Sequence, residues 1–294
     1  MLQSDSLSIR PAHSSDKSAV LAFCQHTWDD ETDYIPSVWD VWFSDPAGHI
    51  LVADFKGQPV GMTRLIRLSG TEGWWEGLRV DRAYRRQGIG SRLTAAALDL
   101  AGSLGFTTLR TCVSAANAPM HPFVQRQGFE SQGEFAVYSA VANDSSPIAL
   151  QPLGPQECDR IWATINRFAP NKCDRLFVVR GAKWQALTPE SLAQRLEQGW
   201  VWGIAQGDAL TSVFMRSHME NPNGTLWIGW LGGTPEGLRV ALEALPSLAH
   251  QLGFQAIGGF LPQSDALLPL LQAAGSPFSS TNAYRVYAKS LPEQ

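Results

Sequence analysis

The sequence predicts an α+β protein made of two tandem copies of one domain. Three observations predict it. The chain has 294 residues, more than the roughly 100–200 of a usual domain. Hydrophobic residues make up 44% and charged residues 17%, enough apolar material for sizeable cores. Four local patterns of the first half also return, in the same order, in the second.

The first pattern is LTAAALDLAGSLGFTTLRTCVSAAN from Leu93, which returns as ALEALPSLAHQLGFQAIGGFLPQSD from Ala241. Each reads as an amphipathic helix, the tripeptide Leu-Gly-Phe, a β-rich run and a polar loop. Upstream, HILVADFKGQPVGMTRLIRL is matched by GWVWGIAQGDALTSVFMRSH, two strands about a glycine turn (Lys56-Gly57-Gln58 and Gln206-Gly207-Asp208). WWEGLRV from Trp74 is matched by LWIGWLGG from Leu226, and QRQGF at Gln125 by LQAAG at Leu271. The seam is expected at Ala142–Pro147, which is small, polar and closed by proline.

In the first copy a strand is expected at Leu7–Arg10, then helices near Ser15–Trp28 and Ser37–Phe43. Strands follow near His49–Phe55 and Pro59–Leu68, the arms of the first glycine turn, and near Trp74–Val80. A helix runs from Gly88 to Gly102 and stops at Leu-Gly-Phe. A strand near Thr108–Val113, a helix near Pro119–Gln127 and a strand near Phe135–Ala140 complete the copy. The order is mixed rather than a strict βαβ alternation.

Composition excludes several classes. A formal charge of −4 lacks the positive field of a nucleic-acid binder. No apolar stretch is long enough to span a membrane, and MLQSDSLSIRPAHSSD has no basic-then-apolar leader. Cys24, Cys112, Cys158 and Cys173 form no C-x-x-C pair and have no histidine at zinc-ligand spacing. They read as reduced thiols of a cytoplasmic protein that holds no metal. Asn221-Pro222-Asn223-Gly224 reads as a tight turn between two strands.

The informative stretch is EGLRVDRAYRRQGIGSRL, Glu76 to Leu93. A strand ends at Val80, a basic loop Arg85-Arg86-Gln87-Gly88-Ile89-Gly90 follows, and a helix begins. Glycine allows close backbone approach and positive φ. Free N–H groups and the dipole at a helix start attract an anion, so a phosphate or pyrophosphate ligand is expected. No Gly-Lys-Ser/Thr closes the loop, and it is not a G-x-G-x-x-G fingerprint either.

Arg85-x-x-Gly88-x-Gly90, between GLRVDRAY and a helix, resembles the cofactor loop of the GNAT superfamily of N-acetyltransferases. LGFTTLRTCVSAAN and FVQRQGFE resemble the strand and helix-strand ending that follow it. The resemblance covers roughly residues 7–140. It implies two tandem GNAT-like domains, each a mixed, mostly antiparallel sheet flanked by helices. Residues 1–143 would be the acetyl-CoA-binding catalytic domain and 147–294 a degenerate copy that is structural or shapes the substrate cleft. Acetyl-CoA would be the co-substrate. Main-chain groups of Arg86, Gln87, Gly88, Ile89, Gly90 and Ser91 would hold its pyrophosphate, with Arg85 adding charge. Leu78 and Val80 would pair with the pantetheine arm as an added strand, splayed strands would admit the thioester, and Asn117 would touch the arm. In the second copy, Gly232-Gly233-Thr234-Pro235-Glu236-Gly237-Leu238 lacks the Arg-x-x-Gly-x-Gly pattern. No acetyl-CoA is expected there.

An amine must lose a proton before it attacks. Period-two alternation puts Glu76 on one face with Leu78 and Val80, and its position resembles the general-base glutamate of the superfamily. Many relatives carry a tyrosine four residues before Gly-Phe as proton donor to the thiolate. Here that position is Val124, so His121, Cys112 or water are the candidates. A backbone N–H near Val80 is the natural oxyanion donor. Direct transfer without an acyl-enzyme is expected.

The acceptor side is read in Thr27–Pro46, which mixes Asp29, Asp30, Glu31 and Asp33 with Trp28, Tyr34, Trp39 and Trp42. Acid beside aromatic fits an ammonium. Asp33, Tyr34 and Trp75 are the candidate substrate contacts, while Trp39 and Trp42 suit a core. D-Y-I-P…W…D-P with E-G-L-R-V resembles the histidine N-acetyltransferase-like members, pointing to a free amino acid or similar small amine. Two other readings stand beside this one: a non-catalytic acyl-CoA sensor or scaffold, and a tandem transferase resembling mycothiol synthase. Whether the chain is a monomer or a homodimer is open.

Overall fold

A computed structural model of the chain describes residues 6–27, 33–148, 150–169, 173–217, 224–264, 267–273 and 283–292. Two units emerge. One comprises Met1–Thr111, Phe123–Glu130 and Ala288–Gln294, the other Cys112–Pro122 and Ser131–Tyr287.

The first stretch of chain forms β1 (Leu7–Pro11), α1 (Lys17–Cys24), α2 (Ile35–Ser44), β2 (Gly48–Phe55), β3 (Gln58–Arg67), β4 (Glu72–Val80), α3 (Ile89–Ser103), β5 (Thr108–Ser114), α4 (Met120–Arg126) and β6 (Glu130–Val141). Helix α1 is shorter than expected. It is preceded by a 3-10 turn at Ser14–Asp16, and the chain turns after Cys24, where His26 N–H reaches back only to Phe23 O. Trp28, Asp29, Asp30 and Glu31 lie outside the described residues. In the first unit β1, β2, β3 and β4 pair antiparallel in order, and β4 pairs parallel with β5. Helices α1 and α2 cover one face through Val20, Phe23, Ile35, Trp39 and Trp42, which meet Val52 and Met62 of the sheet. Trp39 and Trp42 are thus core, as their spacing indicated. Helix α3 packs closely on β3, because a Cβ at Gly61 would stand only 3.1 Å from Leu93 and 3.3 Å from Ile89.

The chain continues with β7 (Gln151–Pro152), α5 (Cys158–Phe168), β8 (Leu176–Val178), β9 (Trp184–Ala186), α6 (Pro189–Glu197), β10 (Val201–Gln206), β11 (Ala209–Arg216), β12 (Thr225–Gly233), α7 (Pro235–Gln251), β13 (Ala256–Pro262), α8 (Leu268–Ala273) and β14 (Ala283–Ser290). In the second unit β7, β10, β11 and β12 pair antiparallel in order, β12 pairs parallel with β13, and β6 lies antiparallel on β13 with β14 beyond it. The pairing scheme of the first unit is therefore repeated. One face of this sheet packs on α7 through Leu238, Leu242 and Leu245, the other on α5 and α6 through Ile161, Ile165, Leu192 and Leu196. Asn221, Pro222 and Asn223 of the expected turn lie outside the described residues.

The repeated tripeptide has one physical cause. Both Gly105 (φ 76°) and Gly253 (φ 82°) sit in the left-handed region just past α3 and α7. The N–H of Phe106 then returns to Ala101 O at 3.0 Å, and that of Phe254 to Ala249 O at 2.9 Å. This six-to-one closure of a helix end needs glycine and places an apolar residue after it. Among the described residues, no helix is long and apolar enough to cross a membrane, and no three His, Cys, Asp or Glu side chains gather as metal ligands.

Candidate active site

The site begins with an irregularity in β4. Met62 stands opposite Arg79, yet Arg64 stands opposite Glu76, so β4 carries one extra residue. It is a β-bulge at Gly77, whose φ is 70°. A Cβ at Gly77 would lie 2.8 Å from the Trp42 ring, so only glycine fits. The bulge corrects the expected alternation. Opposed residues of an antiparallel pair point to the same face, so Glu76 and Arg79 share the α1/α2 face with Arg64 and Met62. Val80 pairs with Gly61, which faces α3, and Leu78 Cδ2 stands 3.9 Å from a Cβ built on Gly90. Leu78 and Val80 therefore face α3, and Glu76 does not join them.

Glu76 is not an isolated carboxylate. Its Oε1 accepts from Arg64 Nη1 at 2.5 Å, and Arg64 Nη2 donates to Asp45 Oδ2 at 2.5 Å. Arg64 is 1% exposed, its guanidinium 4.8 Å from the Trp42 ring. Gly48 leaves the room, since a Cβ there would strike Arg64 Nη2 at 2.4 Å. Neither Arg64 nor Asp45 was among the sequence candidates. The signal was an arginine inside the apolar run VGMTRLIR, which requires a buried acid nearby.

Asp33 is 4% exposed and grips Arg79 with both oxygens, at 2.7 and 3.0 Å, while Oδ1 also accepts the Ile35 N–H. It fastens the start of α2 to β4. Burial pushes the Asp33 carboxyl up, but the bonds and charge of Arg79 outweigh it and hold the group below the usual carboxylate range. A depressed folded-state pKa adds stability that is present above the unfolded value of about 3.9 and lost as pH falls through the folded one. Asp33→Asn should therefore lower the urea midpoint at pH 7, and the gap to wild type should close below about pH 4. An unchanged gap across that range would contradict this account.

Tyr34 is 47% exposed, edge-on to Trp42, with the Arg79 guanidinium 5.2 Å from its ring. Trp75 is 2% exposed, donates its indole N–H to Thr63 Oγ1 at 2.6 Å and stacks on Phe129. It packs the sheet. Cys24 is 1% exposed, and burial, with Asp33 nearby, pushes its thiol up to about 12, so it is inert as a nucleophile.

The ladder between β4 and β5 runs from Glu72↔Thr108 to Trp74↔Arg110, whereas β4 continues to Val80. The ladder thus ends before the bulge is reached. After Val80, Asp81 caps a 3-10 turn, and Arg85 folds back with Nε on Val80 O at 3.1 Å. Arg86 (φ 59°) and Gly88 (φ 82°) are left-handed. Gly88 is the N-cap of α3 and supplies no side-chain acceptor to the first-turn N–H groups. Arg85, Arg86, Gln87, Gly88 and Ser91 are exposed, Gly90 is half-buried and Ile89 is buried. Bare amides, a helix dipole and two exposed arginines fit a diphosphate. At α7 the corresponding donors are spent: Thr234 Oγ1 accepts the Gly237 N–H at 3.0 Å, and Pro235 has none to give. The β12 strand repeats the bulge at Gly229, between the pairs Met215↔Trp230 and Arg216↔Ile228, so an isoleucine stands where β4 carries Glu76, and a Cβ at Gly229 would fall 2.3 Å from the Phe177 ring.

Asn117 closes the turn after β5, its carbonyl accepting from Met120 N–H at 3.0 Å. Val124 is fully buried in α4. His121, one turn before it, has Nδ1 2.9 Å from the hydroxyl of Tyr287.

Residues 15–129 match the family model described as Acetyltransferase (GNAT) family, and the chain is similar to that family over this stretch. A GCN5-related N-acetyltransferase from Sphaerobacter thermophilus is similar in fold, with 14% identity, TM-score 0.62 and coverage of 97% of this chain and 96% of that one. A tandem GNAT protein from the clavulanic acid biosynthesis pathway is similar at 16% identity and TM-score 0.51, over 98% of this chain and 100% of that one. No curated protein sequence matches.

Proposed function

We propose that residues 1–143 form a catalytic domain that moves acetyl from acetyl-CoA to a primary amine, a small molecule or amino acid, and that residues 147–294 are a non-catalytic copy. Bound acetyl-CoA supplies the activated acyl group. Main-chain N–H groups from Arg86 to Ser91 hold its diphosphate, with Arg85 and Arg86 adding charge. The β5-side edge of β4 at Leu78 and Val80 offers its main chain to the pantetheine arm. Tyr34 and the Asp45–Arg64–Glu76 cluster face the acceptor. That cluster carries one net negative charge, which suits an ammonium. Glu76, fixed by Arg64, takes the proton as the amine becomes a nucleophile. The reading rests on one observation above the rest, the bulge at Gly77 beside the uncapped start of α3.

Calorimetric titration with acetyl-CoA and release of CoA thiol across an amine panel test it. Glu76→Gln should lower kcat by about 10²–10⁴-fold with acetyl-CoA affinity kept. Tight binding without turnover on any amine would favour the sensor reading, which the buried Val124 supports. Absence of binding sinks both.

A further inference from the structure

Among the described residues three arginines are buried, Arg64, Arg110 and Arg195. Arg64 is held by Asp45 and Glu76, and Arg110 pairs with Glu72 Oε2 at 2.5 Å. Arg195, in the last turn of α6, is 7% exposed, and among the described residues no carboxylate or other acceptor takes up its guanidinium. The nearest acid in sequence, Glu197, is exposed and two residues on, a spacing that turns it to another side of the helix. Burial lowers the Arg195 pKa to about 10, with no acid to raise it again. At neutral pH the group therefore carries its full charge, and a buried charge is costly unless paired.

Its setting repeats a pattern of the first unit. There Gly77 of the β4 bulge leaves room for the Trp42 ring, and the Arg64 guanidinium lies 4.8 Å from that ring. In the second unit Gly229 of the β12 bulge leaves room for the Phe177 ring, and the Arg195 guanidinium lies 3.6 Å from that ring. Each unit thus stacks glycine, aromatic ring and guanidinium. Two carboxylates close the first stack, and among the described residues none closes the second. Nε of Arg195 is sealed from solvent without an acceptor, whereas Nη1 and Nη2 are not sealed, so the outer edge of the fork is within reach of a ligand.

We propose that the Arg195 guanidinium of the second unit is a binding site for a small monocarboxylate. A planar guanidinium holds a carboxylate through two parallel hydrogen bonds, the role that Asp45 and Glu76 fill on Arg64. One carboxylate balances the single charge of Arg195. A dianion such as sulfate would leave an excess charge in the same apolar setting, since Phe177 belongs to a cluster with Leu192, Leu196, Met215 and Trp230. The site lies wholly in the second unit and stands apart from acetyl transfer by the first.

The test uses the full chain labelled with ¹⁵N-arginine, the Arg195 Nε–H signal being assigned by comparison with Arg195→Lys. Butyrate at constant ionic strength should move that signal along a saturable curve, and neither butyramide nor sulfate should do so. Butyrate at about a hundred times its dissociation constant should raise the apparent Tm by about 5–10 °C. Arg195→Met, which keeps an apolar stem, should show no butyrate-dependent rise. Arg195→Lys, which keeps the charge without the fork, should bind butyrate at least about tenfold more weakly. An Nε–H signal that butyrate leaves in place overturns the site. So does equal movement with butyramide, or a rise in Arg195→Met equal to that of the wild type.

Discussion

Arg64→Met should cost about 3 kcal/mol, seen as a fall of about 6–12 °C in the apparent Tm by calorimetry. Removing one partner of a buried ion pair typically costs about 3–5 kcal/mol, because the remaining charges stay desolvated. The low end applies here, since Asp45 and Glu76 keep 18% and 11% exposure and water can partly reach them. Arg64 serves two carboxylates, so its loss also leaves two like charges facing the vacated position. The triple variant Arg64→Met, Asp45→Asn, Glu76→Gln should recover much of the loss, as uncharged replacements of buried ion pairs often do. It should not recover turnover, because the carboxylate proposed to take the amine proton is gone. A Tm change under about 2 °C in the single variant would show the cluster to be solvated and of little weight.

Gly88→Val should weaken acetyl-CoA binding at least about 100-fold, measured by calorimetry. Gly88 has φ 82°, where a β-branched residue loses roughly 1–2 kcal/mol and tips the loop toward another conformation. The first-turn amides of α3 would then no longer converge on one anion. A matched control isolates this from general destabilisation. Gly57 has φ 83° in the β2–β3 turn, and like Gly88 it has nothing within 4 Å of a built Cβ. Gly57→Val should lower Tm comparably while leaving acetyl-CoA affinity unchanged. Equal affinities for the two variants would remove the loop from the cofactor site.

The alternation of elements, the two-copy architecture and the glycine turn into α3 could all be read in the sequence, because each depends on local chemistry. Leu-Gly-Phe marks a helix end wherever it occurs, and glycines 88 and 90 announce a backbone conformation directly. What failed was anything depending on register. One inserted residue at Gly77 reversed the face of everything downstream in β4, so that Glu76 parted from Leu78 and Val80. Glycine in a strand warns of such a bulge, but its position emerges only from the pairing with β3. The aromatic-acid segment also misled. Asp33 looked like a ligand for a free ammonium, yet the nearest cation is the chain's own Arg79, more than forty residues away in sequence.

The first unit includes Ala288–Gln294, where Leu291 N–H bonds to Thr107 O and Lys289 to Gln127 O. Ribosomes deliver about 5–20 residues per second, and the stretch from Glu130 to Ala288 must be translated before those partners exist. For on the order of ten seconds the nascent N-terminal half lacks this terminal segment, and the Thr107 and Gln127 carbonyls lack these donors. A premature stop anywhere after the seam would thus damage the half already made, and quality control would see a folding defect in residues far upstream of the lesion.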